Sequence, residues 1–537
     1  MIRPMEMGNT TAENTKNPAA HATDADWAGR KRMTFNVLAS WAGHLVFIVS
    51  GFIMPRLIDR RLGQEALGVW DFAWSLIAYF TLVQAGVISS VNRFVAKYRA
   101  ENDLAGVNRV LATISLILGT MGLIVTGLSI GAMVLMEPMF GERLDEYVQD
   151  ARWVVLLLGL TLAVQIALAG FGGIITGCHR WGVHNAIYAG AHVFSVIGMI
   201  ASLLTGRGLV ALASVTLAGE AAGMIVRIFV AYRFLPGLQF RIGNASWAES
   251  RRLLGFGGKS FLPNIANLLL NQTTSVLIVA YLGPASLALF SRPMALVRHA
   301  RTMLDKFANV LVPTAGAYQA AAHEGELREL MIRGSRYAAF LSLPIMLGLV
   351  ILGSPLLRLW MGENYDQSLV LAIMVVGNFG LLSQVGTQAV LMGLNAHGRP
   401  GLVNLLAAGC SVGFTVLALG VFKAGLPGAA MAVAIPLLIA NGVYIPWYAC
   451  RKLNLPVWQY LRATWDKPVL CAIPHAAVML AARLTLNTQP LLCLVVGGFG
   501  GGLVMFILYY RYALPDSLRE RVQKVMPRRR AVSRASA

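Results

Sequence analysis

The stretch SRPMALVRHARTMLDKF, residues 291–307, places basic side chains within a long apolar run. These basic residues are Arg292, Arg298, His299, Arg301 and Lys306. An ionised side chain at the centre of a membrane costs about 2.5–3.5 kcal/mol on insertion scales, so it usually faces a protein interior or a water-filled pathway. The stretch therefore predicts a bundle of helices that shelters charge from lipid.

The composition of the whole chain is that of an integral membrane protein. Of its 537 residues, 56% are hydrophobic and 13% are charged, and the mean hydropathy is +0.62. Water-soluble domains have a larger charged fraction, near 25%. The five cysteines form no CxxC pair. We therefore expect neither a disulfide framework nor a metal site, and no cofactor.

Apolar runs of roughly 20 residues, long enough to cross a bilayer, recur along the chain. We predict fourteen spans, which puts both termini on the same side of the membrane. The first span is too long for the apolar core of a signal peptide and is expected to be retained. The predicted spans are 33–55, 66–92, 110–136, 153–177, 185–205, 209–232, 260–282, 285–313, 337–360, 368–393, 402–422, 428–449, 469–487 and 490–510.

Lys and Arg residues set the predicted orientation. With both termini inside, 31 of the 45 fall in inside segments. Because cytoplasmic loops collect basic residues, this asymmetry predicts cytoplasmic termini. It also explains most of the formal charge of +20, so nucleic acid is not an expected partner.

Weak internal repetition predicts the architecture. LGQEALG at 62–68 resembles LGPASLA at 282–288, FGE at 140–142 resembles MGE at 361–363, and GL at 208–209 recurs at 425–426. The spacing is nearly constant, and each match lies in a corresponding outside loop. We predict an all-α polytopic membrane protein with two six-helix lobes, related by a pseudo-two-fold axis along the membrane normal, plus two C-terminal helices.

This architecture divides the chain into segments. The two longer inside connections, SWAESRRLL at 246–254 and PVWQYLRATW at 456–465, are expected to be interfacial helices. The predicted segments are a disordered cytoplasmic tail at 1–32, the N-terminal lobe at 33–235, a cytoplasmic linker at 236–259, the C-terminal lobe at 260–452, an interfacial segment with helices 13 and 14 at 453–510, and a basic cytoplasmic tail at 511–537.

Motifs for catalysis or nucleotide binding are absent from the sequence. GFGGKS at 255–260 resembles the end of a phosphate-binding loop, but Leu253 stands where that loop needs its first glycine, and an apolar span follows. HExxH, nucleophile-elbow and paired-carboxylate motifs are not found. We expect a protein that binds no nucleotide and is not an enzyme.

Helical periodicity sorts the charges of residues 285–313 into two stripes. Arg298, Arg301 and Asp305 share one face, and Arg292 and Lys306 share another with His299. An Arg301–Asp305 pair is a local alternative to ligand binding, and Lys306 and Arg292 could reach toward headgroups. Basic residues outnumber acids within the spans, so the interior favours an anionic ligand. The acids Asp71, Glu220 and Asp305 are candidates for ion coupling, with static pairing as the alternative.

Amide and hydroxyl groups form further stripes. Ser260, Asn264, Asn267, Asn271 and Ser275 recur at helical spacing and predict a polar face toward a cavity, with interhelix hydrogen bonding as the alternative. Groups that both donate and accept suit sugar hydroxyls. The candidates for sugar contact or cavity lining are Ser40, His44, Asn264, Asn267, Asn271, Gln384 and Gln388.

The pattern resembles the polysaccharide transporter family, within the superfamily that also contains multidrug exporters and peptidoglycan lipid II flippases. The resemblance covers about 33–510 and includes the LG..A.G turn after the first span, RFVAKYRAEND at 93–103 and ITGCHRW at 175–181. It implies a flippase of the bacterial inner membrane. Such a protein would move undecaprenyl-diphosphate-linked oligosaccharide to the periplasmic leaflet as its two lobes rock.

The resemblance also implies roles for individual residues and partners. The basic residues Arg292, Arg298, Arg301 and Lys306 would hold the diphosphate, while the amides contact sugar. The lipid tail would stay among membrane lipids, and a polymerase and export machinery would be partners in O-antigen, capsule or exopolysaccharide assembly.

Four alternatives remain open at this point. A cation-coupled multidrug exporter and a lipid II flippase would share the fold. A membrane glycosyltransferase or polymerase would need catalytic residues in a periplasmic loop, and the predicted outside loops are short. A noncatalytic scaffold would not need the charged and amide stripes.

Overall fold

The computed structural model describes residues 30–84, 87–251, 265–266 and 268–512, with the backbone alone at 30–42, 87–90 and 306–310. The described residues are almost entirely helical and contain no strand. The first half contains α1 (Arg30–Leu62), α2 (Gln64–Phe80), α3 (Val87–Ala100), α4 (Leu104–Leu144), α5 (Val148–Gly177), α6 (Trp181–Leu204) and α7 (Leu209–Phe234).

The second half is more often interrupted. Its helices are α8 (Thr274–Leu282), α9 (Pro284–Ala320), α10 (Glu324–Ile351), α11 (Gly353–Met361), α12 (Ser368–Gly377), α13 (Phe379–Ser383), α14 (Val385–Gly393), α15 (Gly398–Val416), α16 (Gly425–Leu437), α17 (Ile445–Lys452), α18 (Val457–Thr485) and α19 (Pro490–Tyr512). Wider π-helical segments join several of them, at Leu269–Thr273, Leu417–Val421 and Leu438–Tyr444.

Every predicted span is mainly helical over its described residues, with short breaks such as those at Leu352, Asn378 and Gln384. Nine helical stretches of the described chain are long and apolar enough to cross a membrane, and one of them, Leu104–Gly177, contains two predicted spans. The charged helix α9 is not among the nine. The prediction of an all-α multi-pass membrane protein is confirmed, whereas the number fourteen stays a prediction.

Two bundles repeat the same set of helix neighbours. In the first, α4 packs on α5, α5 on α7, α6 on α7 and α2 on α5; in the second, α10 packs on α14, α12 on α16, α15 on α16 and α9 on α14. Helices α18 and α19 pack on each other and against α10 and α11. This is the predicted arrangement of two lobes and a C-terminal pair.

The repeat is visible in the backbone of single residues. Gly63 before α2 and Gly283 before α9 both adopt positive φ, 93° and 83°, with ψ of 169° and 171°. A side chain is strained in that region, which explains glycine at both sites. The starts of α2 and α9 also meet, since the Gln64 amide donates to the Ala285 carbonyl at 3.1 Å. Both copies therefore run in the same direction.

The outer surface is apolar. Leu123, Phe229, Leu484 and Phe499 are each at least 70% exposed. In water such surface would drive association, whereas in a bilayer it faces hydrocarbon at no cost. Charged residues that the sequence places in the spans, such as Arg227, Arg292 and Arg298, lie instead within or between the bundles, and this arrangement makes their contacts informative about function.

The two segments predicted to form interfacial helices, 246–254 and 456–465, pack on the bundles over their described residues. Glu249 is buried and accepts a hydrogen bond from the Tyr98 hydroxyl at 2.6 Å, while the Ser246 amide donates to Thr113 at 3.0 Å. The segment 456–465 is not a separate surface helix. It forms the first turns of α18 and buries Tyr460 completely.

The close contact between α2 and α9 yields a stability prediction. A Cβ added at Gly68 would lie 1.9 Å from the Pro284 carbonyl oxygen. We expect Gly68→Ala to lower the thermal unfolding midpoint of the detergent-solubilised protein, at a cost of about 1–3 kcal/mol from overpacking. Gly127→Ala, where a Cβ meets no atom within 4 Å, is the matched control. An unchanged midpoint for Gly68→Ala would contradict the tight junction.

Candidate functional site

A cavity of about 220 Å³ lies inside the second bundle, between α9 and the interrupted helices around it. We call it the basic cavity. Apolar side chains form most of its wall, including Phe290 and Leu437. The polar residues that line it are Asn271, Thr274, Arg298, Arg301, Thr302, Asp305 and Asn378.

Two breaks in helical regularity lie at this cavity. Asn271 belongs to the π-helical segment before α8, and Asn378 lies between α12 and α13, where its side-chain amide donates to the Met374 carbonyl at 2.8 Å. Backbone that departs from the α-helix is tolerated at membrane depth where protein or a water-filled cavity covers it. Both breaks therefore mark the cavity as a polar interior.

Arg298 and Arg301 provide the positive charge of the cavity. They lie three residues apart, so α9 presents them on one face. The Arg301 guanidinium is 3.7 Å from the Asp305 carboxylate, which offsets part of its charge. Among the described residues, no carboxylate lies within ion-pair distance of Arg298, whose side chain is exposed to the cavity. With Arg298, Arg301 and Asp305 ionised, the wall of the basic cavity carries a net charge of +1.

The other two predicted diphosphate ligands are placed differently. Arg292 is only 4% exposed and pairs with Asp71 of α2. In this structure Arg292 is therefore paired with a carboxylate of the other bundle and does not line the basic cavity, while its predicted role as a diphosphate ligand stays a prediction. Lys306 lies in α9, and its side chain is outside the described part of the structure.

The Arg292–Asp71 pair belongs to a set of contacts that join the bundles at one end, here called the closed end. The Tyr365 hydroxyl donates to the Asp59 carboxylate at 2.5 Å, and the Trp360 indole donates to the Phe52 carbonyl at 2.7 Å. The side chain of Arg56 reaches the Leu359 carbonyl at 2.6 Å. These contacts were not predicted, because each joins residues more than 200 positions apart.

A second cavity, of about 330 Å³, occupies the first bundle. Its polar wall includes Ser50, Gln165 and His192, and the Ser50 hydroxyl is 2.7 Å from the His192 ring. Sequence reasoning missed this cavity. The signal was available, since Tyr188, His192, Ser195 and Met199 of α6 recur at helical spacing and all line it.

The predicted coupling acids are all paired. Asp71 binds Arg292, Glu220 lies 3.3 Å from Arg227 in a buried pair, and Asp305 lies near Arg301. Each acid therefore has a basic partner in this structure, and a role in ion coupling stays a prediction. Glu220 also contributes to the wall of the second cavity.

Two of the predicted amides of the second bundle, Gln384 and Gln388, are hydrogen-bonded to side chains of neighbouring helices. Gln384 is 2% exposed, and its carbonyl accepts from the hydroxyls of Tyr460 and Thr387 at 2.5 and 2.9 Å. In this structure the Gln384 carbonyl is thus occupied by the docked start of α18 and by Thr387, and a sugar contact for Gln384 stays a prediction. Gln388 donates to Asn441 at 3.3 Å, which in turn donates to Asn404 at 2.8 Å.

The remaining candidates can be placed only in part. Asn271 lines the basic cavity as expected. His44 lies half-buried in α1. Ser40 lies in the same helix, in the part for which the structure describes the backbone alone. Asn264 and Asn267 fall outside the described residues.

A family model described as "Polysaccharide biosynthesis protein" matches residues 156–370, a range that includes all of α9. The chain is 24% identical over 442 residues to "Uncharacterized membrane protein EpsK" of Bacillus subtilis (strain 168), covering 78% of this chain and 83% of that protein. It is 21% identical over 436 residues to "Putative O-antigen transporter" of Shigella flexneri, covering 76% and 98%. The resemblance to polysaccharide transporters is confirmed.

Two solved structures share the fold of this chain. Lipid II flippase MurJ in an inward closed conformation matches with a TM-score of 0.68 and 14% identity, over 89% of this chain and 99% of that chain. An inward-facing multidrug resistance MATE family transporter of the MOP superfamily matches with a TM-score of 0.63 and 17% identity, over 75% and 94%. At these identities the likeness concerns the fold alone.

The pair at the closed end generates a prediction. Asp71→Leu leaves the buried Arg292 charge without a partner, which costs about 3–5 kcal/mol in comparable buried pairs. We expect a clear fall in the thermal unfolding midpoint. The double variant Asp71→Leu with Arg292→Met removes both charges and should recover most of that loss. If the double variant is no more stable than Asp71→Leu, the unpaired Arg292 charge is not the cause of the lost stability.

Proposed function

We propose that this protein is a flippase for undecaprenyl-diphosphate-linked oligosaccharide. It moves the headgroup from the cytoplasmic to the periplasmic leaflet of the bacterial inner membrane, with both termini in the cytoplasm. The product supplies O-antigen, capsule or exopolysaccharide assembly, where a polymerase and export machinery act next. In this proposal the chain transports its ligand and catalyses no covalent step.

The observation that carries the proposal is the pair Arg298 and Arg301 on the wall of the basic cavity. A diphosphate cannot enter hydrocarbon, because its charge would lose water without replacement. Arginine replaces that water with directed hydrogen bonds that match phosphate oxygens. Asp305 offsets one of the two charges, so the wall keeps positive charge for an anion and would not favour a cationic drug.

Neighbouring amides support a sugar-bearing ligand. Asn271 and Asn378 lie on the same wall as the arginines, and an amide offers both donors and acceptors to hydroxyl groups. The family match supports the same ligand class, since its description concerns polysaccharide biosynthesis. The lipid tail would remain in the bilayer beside the apolar outer surface.

Transport by alternating access requires the closed end to open. Polar contacts between the bundles at this end, including Arg292 with Asp71 and Tyr365 with Asp59, lie beside the apolar junction of α2 and α9. Opening would exchange the polar contacts for water and separate this apolar junction. The lobes would then rock against each other and expose the cavity walls to each side in turn.

Flipping of lipid-linked oligosaccharide in proteoliposomes tests the site. Removing a hydrogen bond to a charged group costs about 1.5–3 kcal/mol, so Arg298→Ala and Arg301→Ala should each slow flipping about tenfold to a hundredfold. Arg298→Lys retains the charge but cannot form bidentate hydrogen bonds, so its flipping rate should lie between those of the parent protein and Arg298→Ala. Arg333→Ala is the matched control, because Arg333 is exposed on α10 and pairs with Glu329.

All four variants should insert and elute as the parent protein does on size-exclusion chromatography. Normal flipping by both alanine variants would exclude the basic cavity as the diphosphate site. Equal loss in the Arg333 control would point to a general defect instead.

A cross-link across the closed end tests the proposed movement. In a variant whose five native cysteines are replaced, cysteines at positions 64 and 285, whose parent residues are joined by a 3.1 Å hydrogen bond, can be bridged by a short bis-methanethiosulfonate linker, which attaches through reducible disulfides. Flipping should stop after cross-linking and return after reduction. The same linker between cysteines at Lys97 and Glu101, four residues apart in one bundle, should have no effect. Continued flipping in the cross-linked protein would refute opening at this end.

A further inference from the structure

A surface cavity of about 830 Å³ opens between the turn that joins α14 to α15 and the end of α17. It is separate from the basic cavity, with which it shares no lining residue. We call it the basic aromatic pocket. Its chemically distinctive lining residues are Arg399, Tyr444, Trp447, Tyr448, Arg451 and Lys452.

The pocket carries three uncompensated positive charges. Arg399, Arg451 and Lys452 are exposed, and no acidic residue lines the pocket. Nearby basic residues behave differently, since Arg328 pairs with Glu324 and Arg462 with Asp466. For the three pocket residues, the described part of the chain provides no ion-pair partner. Three like charges held together repel each other, and an anion relieves that repulsion.

Aromatic rings form one side of the pocket. Tyr444 stacks on Tyr448 with ring centroids 5.9 Å apart and an interplanar angle of 6°, and it lies 5.8 Å from the ring of Trp447. The Arg451 guanidinium lies 5.6 Å from the Trp447 ring centroid. Trp and Tyr next to basic residues at the end of an apolar helix are typical of the headgroup level of a membrane. The pocket therefore opens where lipid headgroups lie.

The backbone around the pocket is firmly held. At the α14–α15 turn, Asn395 adopts φ of 52° and the Ala396 amide donates to the Leu391 carbonyl at 2.9 Å. At the other side, the Arg328 side chain donates to the Leu453 carbonyl at 2.7 Å, just after α17. The backbone on both sides of the pocket is thus hydrogen-bonded, which reduces the ordering cost of binding a ligand.

We propose that the basic aromatic pocket binds the phosphate-bearing headgroup of an anionic lipid. The three charges match the phosphate, and the aromatic wall matches the glycerol, sugar or first chain carbons that follow it. A free phosphate would use only the charged side of so large a pocket. The inference does not rest on the proposed flippase activity, because either a bulk anionic phospholipid or a polyprenyl diphosphate has the required chemistry.

Native mass spectrometry of the full-length protein in detergent tests the pocket, with phosphatidylglycerol, phosphatidylcholine and undecaprenyl diphosphate titrated separately. A basic residue near an anionic headgroup contributes about 1 kcal/mol, so Arg399→Gln and Lys452→Gln should each weaken binding of an anionic lipid about fivefold. Arg207→Gln is the charge-matched control, since Arg207 is exposed in the loop between α6 and α7.

The lipid that shows the loss identifies the source of the headgroup. A loss for phosphatidylglycerol assigns the pocket to bulk phospholipid, and a loss for undecaprenyl diphosphate alone assigns it to a polyprenyl carrier. Equal affinity of the parent protein for phosphatidylglycerol, phosphatidylcholine and undecaprenyl diphosphate would overturn the proposal. So would variants that bind anionic lipid as the Arg207 control does, or binding of inorganic pyrophosphate without any lipid.

Discussion

Charge inside hydrocarbon is the constraint on which this structure depends. Each ionised side chain within a span must find a partner or a wet surface, because insertion alone would cost several kcal/mol. The protein meets this requirement in two ways. The buried Arg292 and Arg227 are each paired with a carboxylate, whereas Arg298 and Arg301 line a cavity. The first solution is structural, and the second leaves charge available for a ligand.

The repeat provides the frame in which these two solutions coexist. Helices α2 and α9 hold equivalent positions in their bundles and pack against each other, so each contributes residues to its own bundle and to the junction. Along α9, Arg292 faces the junction and Arg298 faces the cavity, less than two turns away. One helix therefore connects the contacts between the bundles with the interior of the second bundle.

The sequence predicted best those features that depend on residues close to one another along the chain. Apolar length predicted the helices, and the glycine turns at 63 and 283 predicted the repeat, since both depend on neighbouring residues alone. The shared face of Arg298 and Arg301 followed from helical periodicity. The partner of Arg292 could not be predicted, because Asp71 is 221 residues away. Gln384 also required tertiary information, since its buried hydrogen bonds depend on Tyr460 of the helix that docks beside it.

Backbone lies directly against backbone where Gly68 meets Pro284. An added side chain has no room between them, and apolar residues of both helices, including Leu67 and Leu287, belong to the buried cluster around this point. A sliding displacement along the helix axes would drive the bulkier residues of α2 into the start of α9. The tight junction therefore resists sliding of α2 along α9, and opening of the closed end has to move Gly68 and Pro284 apart.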